Sequence, residues 1–229
     1  MAIYSIAGLT VSMQPQGRTA RQAEPYLCTD EKQPDLTIPW GGEILHQRHP
    51  HLSLDDCSYL ASGAAFYQQL LLHDGMLLHA SAVVMEGRAY LFSAPSGTGK
   101  STHTQLWQQV FGDRARILND DKPAIRWEDG QFYAYGTPWS GKHDLSFSGR
   151  FPLQAICLLE RGQENKISKC DPQEVIFSLA DQTFRPASAM LMDKLLSLLD
   201  CLLRQVPVYK LQCNMEPEAA RVSWAGMKP

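Results

Sequence analysis

The chain has 229 residues, 44% of them hydrophobic, and 21 Lys and Arg against 24 Asp and Glu give a net charge of -3. That length can bury a full core, and the slight acidity argues against non-specific nucleic-acid binding, which needs a basic face. Six cysteines stand apart with no Cys-x-x-Cys pair, so neither a zinc site nor a disulfide framework is indicated. Residues 1–5 lack the basic start of a signal peptide, and no apolar run approaches membrane-spanning length. The expectation is a cytoplasmic protein with no membrane or nucleic-acid partner.

Residues 1–57 are expected to be a β-rich extension packed on a core of residues 58–229. The extension alternates at Leu9, Val11 and Met13 and again at Leu36, Ile38 and Trp40. His46, His49 and His51 have no acidic or cysteine partners nearby in sequence, and read as solvated rather than metal-binding. Residues 58–73 read as a helix stopped by Asp74-Gly75, and residues 76–84 as one apolar strand. Glu86-Gly87 is too short for anything but an antiparallel hairpin into the next strand, residues 89–92, because a parallel pair needs a crossover. The sheet is therefore expected to be mixed.

After that strand comes Ala94-Pro95-Ser96-Gly97-Thr98-Gly99-Lys100-Ser101-Thr102, with the spacing of a phosphate-binding loop and Ala94 where a glycine is usual. Residues 102–111 have helical composition, so strand, loop and helix follow in the order the motif requires. The expected nucleotide triphosphate site comprises Ser96, Gly97, Thr98, Gly99, Lys100, Ser101 and Thr102. Its glycines let backbone N–H groups turn inward, and the helix dipole adds positive charge. Lys100 is expected on the β- and γ-phosphates and the Ser101 hydroxyl on a Mg²⁺ that bridges them.

Residues 116–121 form a strand ending in Asp120 and Asp121. Ligands in such sheets sit beyond the carboxyl ends of strands. Two carboxylates about 4 Å apart repel by roughly 4 kcal/mol at an effective dielectric of 20. Either Mg²⁺ neutralises one of them, or one holds a proton more readily and accepts it from an attacking hydroxyl. Neighbouring strand residues face opposite ways, so both serve one site only if the strand breaks there, which Pro123 favours. Asp129-Gly130 marks a second hairpin, between residues 122–127 and 131–135.

Residues 136–144 form a Gly- and Pro-punctuated loop carrying Trp139, Lys142 and His143. Lys142 reads as a contact for a phosphate or anionic acceptor and Trp139 as a wall of the acceptor pocket, with simple turn formation as the alternative. Further strands are expected at residues 153–159, 166–169 and 206–211. One helix follows Asp171-Pro172, another spans residues 187–204 with Leu191, Leu195, Leu198 and Leu202 on its core face, and a last one opens at Glu216-Pro217.

Leu78-His79-Ala80-Ser81, the loop at 95–101 and Asn119-Asp120-Asp121 together resemble the catalytic domain of the HPr serine kinase/phosphorylases and, more distantly, the phosphoenolpyruvate carboxykinases. The resemblance spans roughly residues 79–142. It implies an α/β fold in which a mixed β-sheet with a P-loop forms the nucleotide-binding core beside the β-rich N-terminal part. It implies Asp120 as catalytic base, His79 as its support, Asp121 with Ser101 on the metal side, and ATP and Mg²⁺ as cofactors. The implied reaction is γ-phosphoryl transfer to a hydroxyl, on a protein or peptide serine or a small-molecule alcohol. Residues 137–142 stand where HPr kinases carry a further signature, and the compact chain is more similar to related kinases that act on other hydroxyls. Because HPr kinases assemble into hexamers, a homo-oligomer is an implied option. Two other readings remain beside this one: an ATP-binding sensor or switch without kinase activity, and a carboxykinase-like enzyme acting on a small phosphorylated acid.

Overall fold

The computed structural model describes residues 1–29 and 33–229. The alternation at Leu9, Val11 and Met13 forms a strand: β1 (Ala2–Ile6) and β2 (Leu9–Met13) make an antiparallel hairpin, and β3 (Leu36–Thr37) lies parallel to β2. The extension is not wholly β. It also carries helices α1 (Gly17–Ala23) and α2 (Glu43–Arg48), whose Ala, Arg, Gln, Glu and Leu residues favour helix over strand. In the second of these, His46 Nδ1 lies 2.9 Å from the Leu52 carbonyl.

Helix α3 (Leu54–Leu70) starts inside the expected extension, so the boundary at 57/58 falls within a helix. The start is fixed by Ser53, whose hydroxyl accepts the Asp56 N–H at 3.0 Å and donates to the Asp56 carboxylate at 2.6 Å. The strand expected at 76–84 is two strands, β4 (Gly75–Leu77) and β5 (Ala80–Met85), which join different neighbours. They part at Leu78-His79 because the His79 N–H donates to the Gln182 carbonyl (2.7 Å) instead of to a sheet partner.

β5 turns through Glu86-Gly87 into β6 (Arg88–Ser93) as the expected antiparallel hairpin, and helix α4 (Lys100–Phe111) follows. β7 (Ala115–Asn119) pairs antiparallel with β5, while β8 (Ala124–Glu128) and β9 (Gln131–Tyr135) form the second hairpin. β10 (Arg150–Arg161) is longer than expected: it pairs antiparallel with β9 at its start and parallel with β6 from Leu153 onward, with an irregularity between Leu153 and Ala155. β11 (Lys166–Lys169) returns not along β10 but against β12 (Val208–Cys213), which runs parallel to β10. Helices α5 (Pro172–Ala180), α6 (Ala189–Gln205) and α7 (Pro217–Met227) complete the chain.

The result is a mixed α/β architecture with strand order β4-β8-β9-β10-β6-β5-β7. The leucine stripe of α6 (Leu191, Leu195, Leu198, Leu202) packs with Val175 and Leu179 of α5 on one apolar cluster. Trp107 of α4 and Ala219, Ala220 and Met227 of α7 belong to another. A third joins β1–β3 to α3 and the β8–β9 hairpin. No helix among the described residues is long and apolar enough to cross a membrane.

β5 lies between β6 and β7 and is antiparallel to both. The carboxyl ends of β6 and β7 therefore meet the amino end of β5 at one edge of the sheet.

Candidate active site

That edge carries three of the sequence features. The glycine-containing loop leaves β6, Asp120 and Asp121 follow β7, and His79 precedes β5. A cleft of about 460 Å³ there is lined by His79, Lys100, Ser101, Asp120, Asp121 and His143, with Lys142, Gly141 and the loop glycines on its rim.

Gly97 and Gly99 hold φ of +79° and +120°, a region that side chains with a Cβ rarely adopt, and nothing lies within 4 Å of where a Cβ on either would sit. The loop is thus an open cradle. Helix α4 begins at Lys100 without a side-chain cap, so its first N–H groups and the positive end of its dipole face the cleft, an arrangement suited to phosphate. Lys100 is buried, with its ammonium donating to the carbonyls of Ala94 (2.8 Å) and Pro95 (3.4 Å). Burial lowers its pKa, and the charges of Asp121 and Asp120 oppose that shift. From β10, Arg161 donates to the Gly97 carbonyl at 2.5 Å and bridges the loop from outside.

The strand break that lets both aspartates line one cleft is made by Asn119. Its Oδ1 accepts the N–H groups of Asp121 (3.0 Å) and Lys122 (2.7 Å), while its Nδ2 donates to the Thr137 carbonyl (3.0 Å). This side-chain turn folds the backbone immediately after β7. Asp121 then approaches His79 Nε2 at 3.2 Å and pairs with Lys122. Burial by itself would raise the Asp121 pKa, but the His79 hydrogen bond and the Lys122 ammonium outweigh it and hold the carboxyl at about 2. Asp120 is buried: Oδ1 accepts from the Ser81 hydroxyl (2.7 Å) and Oδ2 faces His143 Nδ1 (2.8 Å). Ser81 in turn meets Thr104 of α4 at 2.8 Å. Each carboxylate thus has its own partners, which answers their mutual repulsion.

His79 therefore sits against Asp121, not against Asp120 as the resemblance implied, and its Nδ1 lies 3.1 Å from Gln182 Oε1. Trp139 needs a larger correction. It is fully buried away from the cleft, stacked on Phe66 at 4.8 Å with its indole N–H on Ser62 (3.3 Å), because a ring of that size gains more from the α3 core than from a polar rim. Lys142 does reach the cleft. Among the residues whose roles sequence reasoning missed, His143 was visible only as one polar member of a loop, and Ser81 and Gln182 had no signal of their own. Neither did Arg18, which donates to the Gly141 carbonyl and the Asp144 carboxylate and so ties α1 to the loop beside the cleft.

A second cleft, of about 720 Å³, flanks the other side of the glycine-containing loop and is bordered by α5 and β10. It is larger, and Asp120, Asp121 and Lys100 are not among its lining residues.

No curated protein matches the chain. A solved structure to which it is similar is that of the Hpr(Ser) kinase/phosphatase from Coxiella burnetii, with a TM-score of 0.40, 10% sequence identity, and 66% of this chain and 92% of that chain covered. Over residues 58–218 the chain matches the family described as SynChlorMet cassette protein ScmC, and it belongs to that family.

Proposed function

We propose that the chain is an ATP- and Mg²⁺-dependent phosphotransferase that moves the γ-phosphoryl group to a hydroxyl, either a serine of a protein or peptide or a small-molecule alcohol. The observation that carries this reading is the convergence, in one cleft, of an uncapped helix N-terminus behind a glycine cradle with two separately partnered carboxylates. A cradle alone would bind an anion; the carboxylates add what transfer requires.

In this reading the backbone from Ser96 to Thr102 holds the phosphates and Lys100 meets the β- and γ-oxygens. The Ser101 hydroxyl and the ionised Asp121 are hard oxygen donors of the kind Mg²⁺ prefers. When bound, Mg²⁺ would supply charge neutralisation across the β- and γ-phosphates. His79 and Lys122 keep Asp121 ionised and oriented. Asp120 stands at the acceptor side with Lys142, where the hydroxyl must lose its proton.

The experiment adds the protein or Lys100→Ala, with γ-labelled ATP and Mg²⁺, to an extract of the cells it comes from, and then separates macromolecules from small molecules. Label appearing in one fraction only with the intact protein supports the kinase and tells a polypeptide acceptor from a metabolite. Tight ATP binding with no labelled product would instead favour an ATP-binding switch.

A further inference from the structure

We propose that His143, not Asp120, takes the proton from the acceptor hydroxyl, and that Asp120 orients the imidazole; the inference rests on the phosphotransfer reading above. The Asp120 side chain is only 2% exposed. Both of its oxygens are engaged, by Ser81 at 2.7 Å and by His143 at 2.8 Å. Each oxygen keeps a further lone pair, but so little of the side chain is exposed that an acceptor hydroxyl in the cleft has scant access to it. His143 has the opposite setting: its side chain is 55% exposed and lines the same cleft as Lys100 and Ser101.

The pairing also fixes the chemistry of the ring. With Nδ1–H donated to a carboxylate, the neutral imidazole carries its free lone pair on Nε2, the nitrogen on the far side from Asp120. A buried carboxylate behind an imidazole is the general arrangement by which a base is aligned and its charged form stabilised. The loop that presents His143 is anchored at several points. Arg18 holds Gly141 and Asp144, Gly141 N–H donates to the Tyr59 hydroxyl (3.1 Å), and Asp120 N–H donates to the Leu145 carbonyl (3.0 Å).

The acceptor O–H bond breaks and its proton passes to Nε2. The freed oxygen pair forms the new bond to the γ-phosphorus, and the bond from that phosphorus to the bridging oxygen breaks, its electron pair leaving with ADP. Asp120 faces the resulting imidazolium and stays ionised.

Two measurements test this. In protein labelled with ¹⁵N-histidine, His143 is expected to show a proton on Nδ1 and none on Nε2 at the assay pH, and Asp120→Asn is expected to disturb that pattern. A proton on Nε2, in the other tautomer or in the imidazolium, overturns the proposal whatever the protein's activity. In the labelling assay on the acceptor fraction, His143→Ala is expected to lose about 100-fold or more of transfer with ATP binding retained. Added imidazole should restore part of it, and a more basic methylimidazole should restore more. A variant as fast as the intact protein, or one that no imidazole relieves, returns the role to Asp120 and leaves the kinase reading standing. If the intact protein transfers no label, the phosphotransfer reading itself falls and this step with it.

Discussion

His103, on the second turn of α4, shows how a single buried ring sets a pH limit on the fold. It is 3% exposed, and its Nε2 lies 3.1 Å from the Ser223 hydroxyl of α7. That hydroxyl gives its own proton to the Ala220 carbonyl and accepts from the Trp107 indole (2.8 Å), so it can only accept from His103 as well. His103 is therefore neutral with its proton on Nε2, and its Nδ1 is buried without a partner. Burial brings its pKa from 6.5 down to about 3. Between those values the unfolded chain binds a proton that the folded chain does not, so stability falls as the solution is acidified below about 6.5. Acidification to pH 5 should cost about 2 kcal/mol through this group. Urea unfolding at pH 7 and pH 5 checks it: His103→Gln, which keeps an N–H toward Ser223, should lose about that much of the pH dependence. An unchanged dependence would mean that His103 already carries a proton in the folded state.

At the scale of elements, α3 and the loop at residues 136–144 are fitted to each other at Gly63. A Cβ there would lie 2.9 Å from Cδ1 and 3.1 Å from Nε1 of the buried Trp139. Two effects compete in Gly63→Ala. Helix propensity favours alanine by about 1 kcal/mol, whereas forcing a methyl against a fully packed indole costs about 1–3 kcal/mol. Because Trp139 is also held by Phe66 and Ser62, it has little freedom to yield, and the clash should win. Denaturant unfolding should show Gly63→Ala destabilised by about 1 kcal/mol, and near-ultraviolet circular dichroism should report a displaced tryptophan. Equal or greater stability would show that the ring has room. The same contact explains what the sequence could and could not convey. Turn residues act locally, so the hairpins at Glu86-Gly87 and Asp129-Gly130 and the strand, loop and helix around Lys100 were legible. Trp139 was not, since nothing near a Gly- and Pro-rich loop reveals that its aromatic ring is covered by Gly63. Asn119 was read only as the residue before two acids, because the turn it makes depends on Thr137. The partners of His79 and Asp120, Gln182 and His143, lie far along the chain, and only the assembled sheet brings them together.

For the whole molecule, the question is whether residues 58–229 stand alone. The family match begins at residue 58, yet the packing does not respect that limit. Ile6, Val11, Met13 and Tyr26 share one buried cluster with Phe66, Tyr67, Leu70, Tyr133, Tyr135 and Trp139. Stripping the first set would uncover part of the second. At about 1.5–3 kcal/mol for each large side chain fully exposed, even partial uncovering of six is on the order of the 5–15 kcal/mol that holds an entire domain together. The site would suffer separately, because Arg18 and Gln22 of α1 are the residues that grip Asp144 beside His143. A chain cut to residues 53–229, which keeps α3 and its Ser53 cap, should therefore lose its cooperative thermal transition or melt far below the intact protein. Arg18→Ala should keep a transition near that of the intact protein while amide exchange quickens across residues 140–144. A truncated chain that melted as sharply and as high as the intact one would make the N-terminal sheet an accessory rather than part of the core. Unchanged exchange in Arg18→Ala would show that the loop holds its shape without α1, and that the side of the cleft beside His143 is built from the later residues alone.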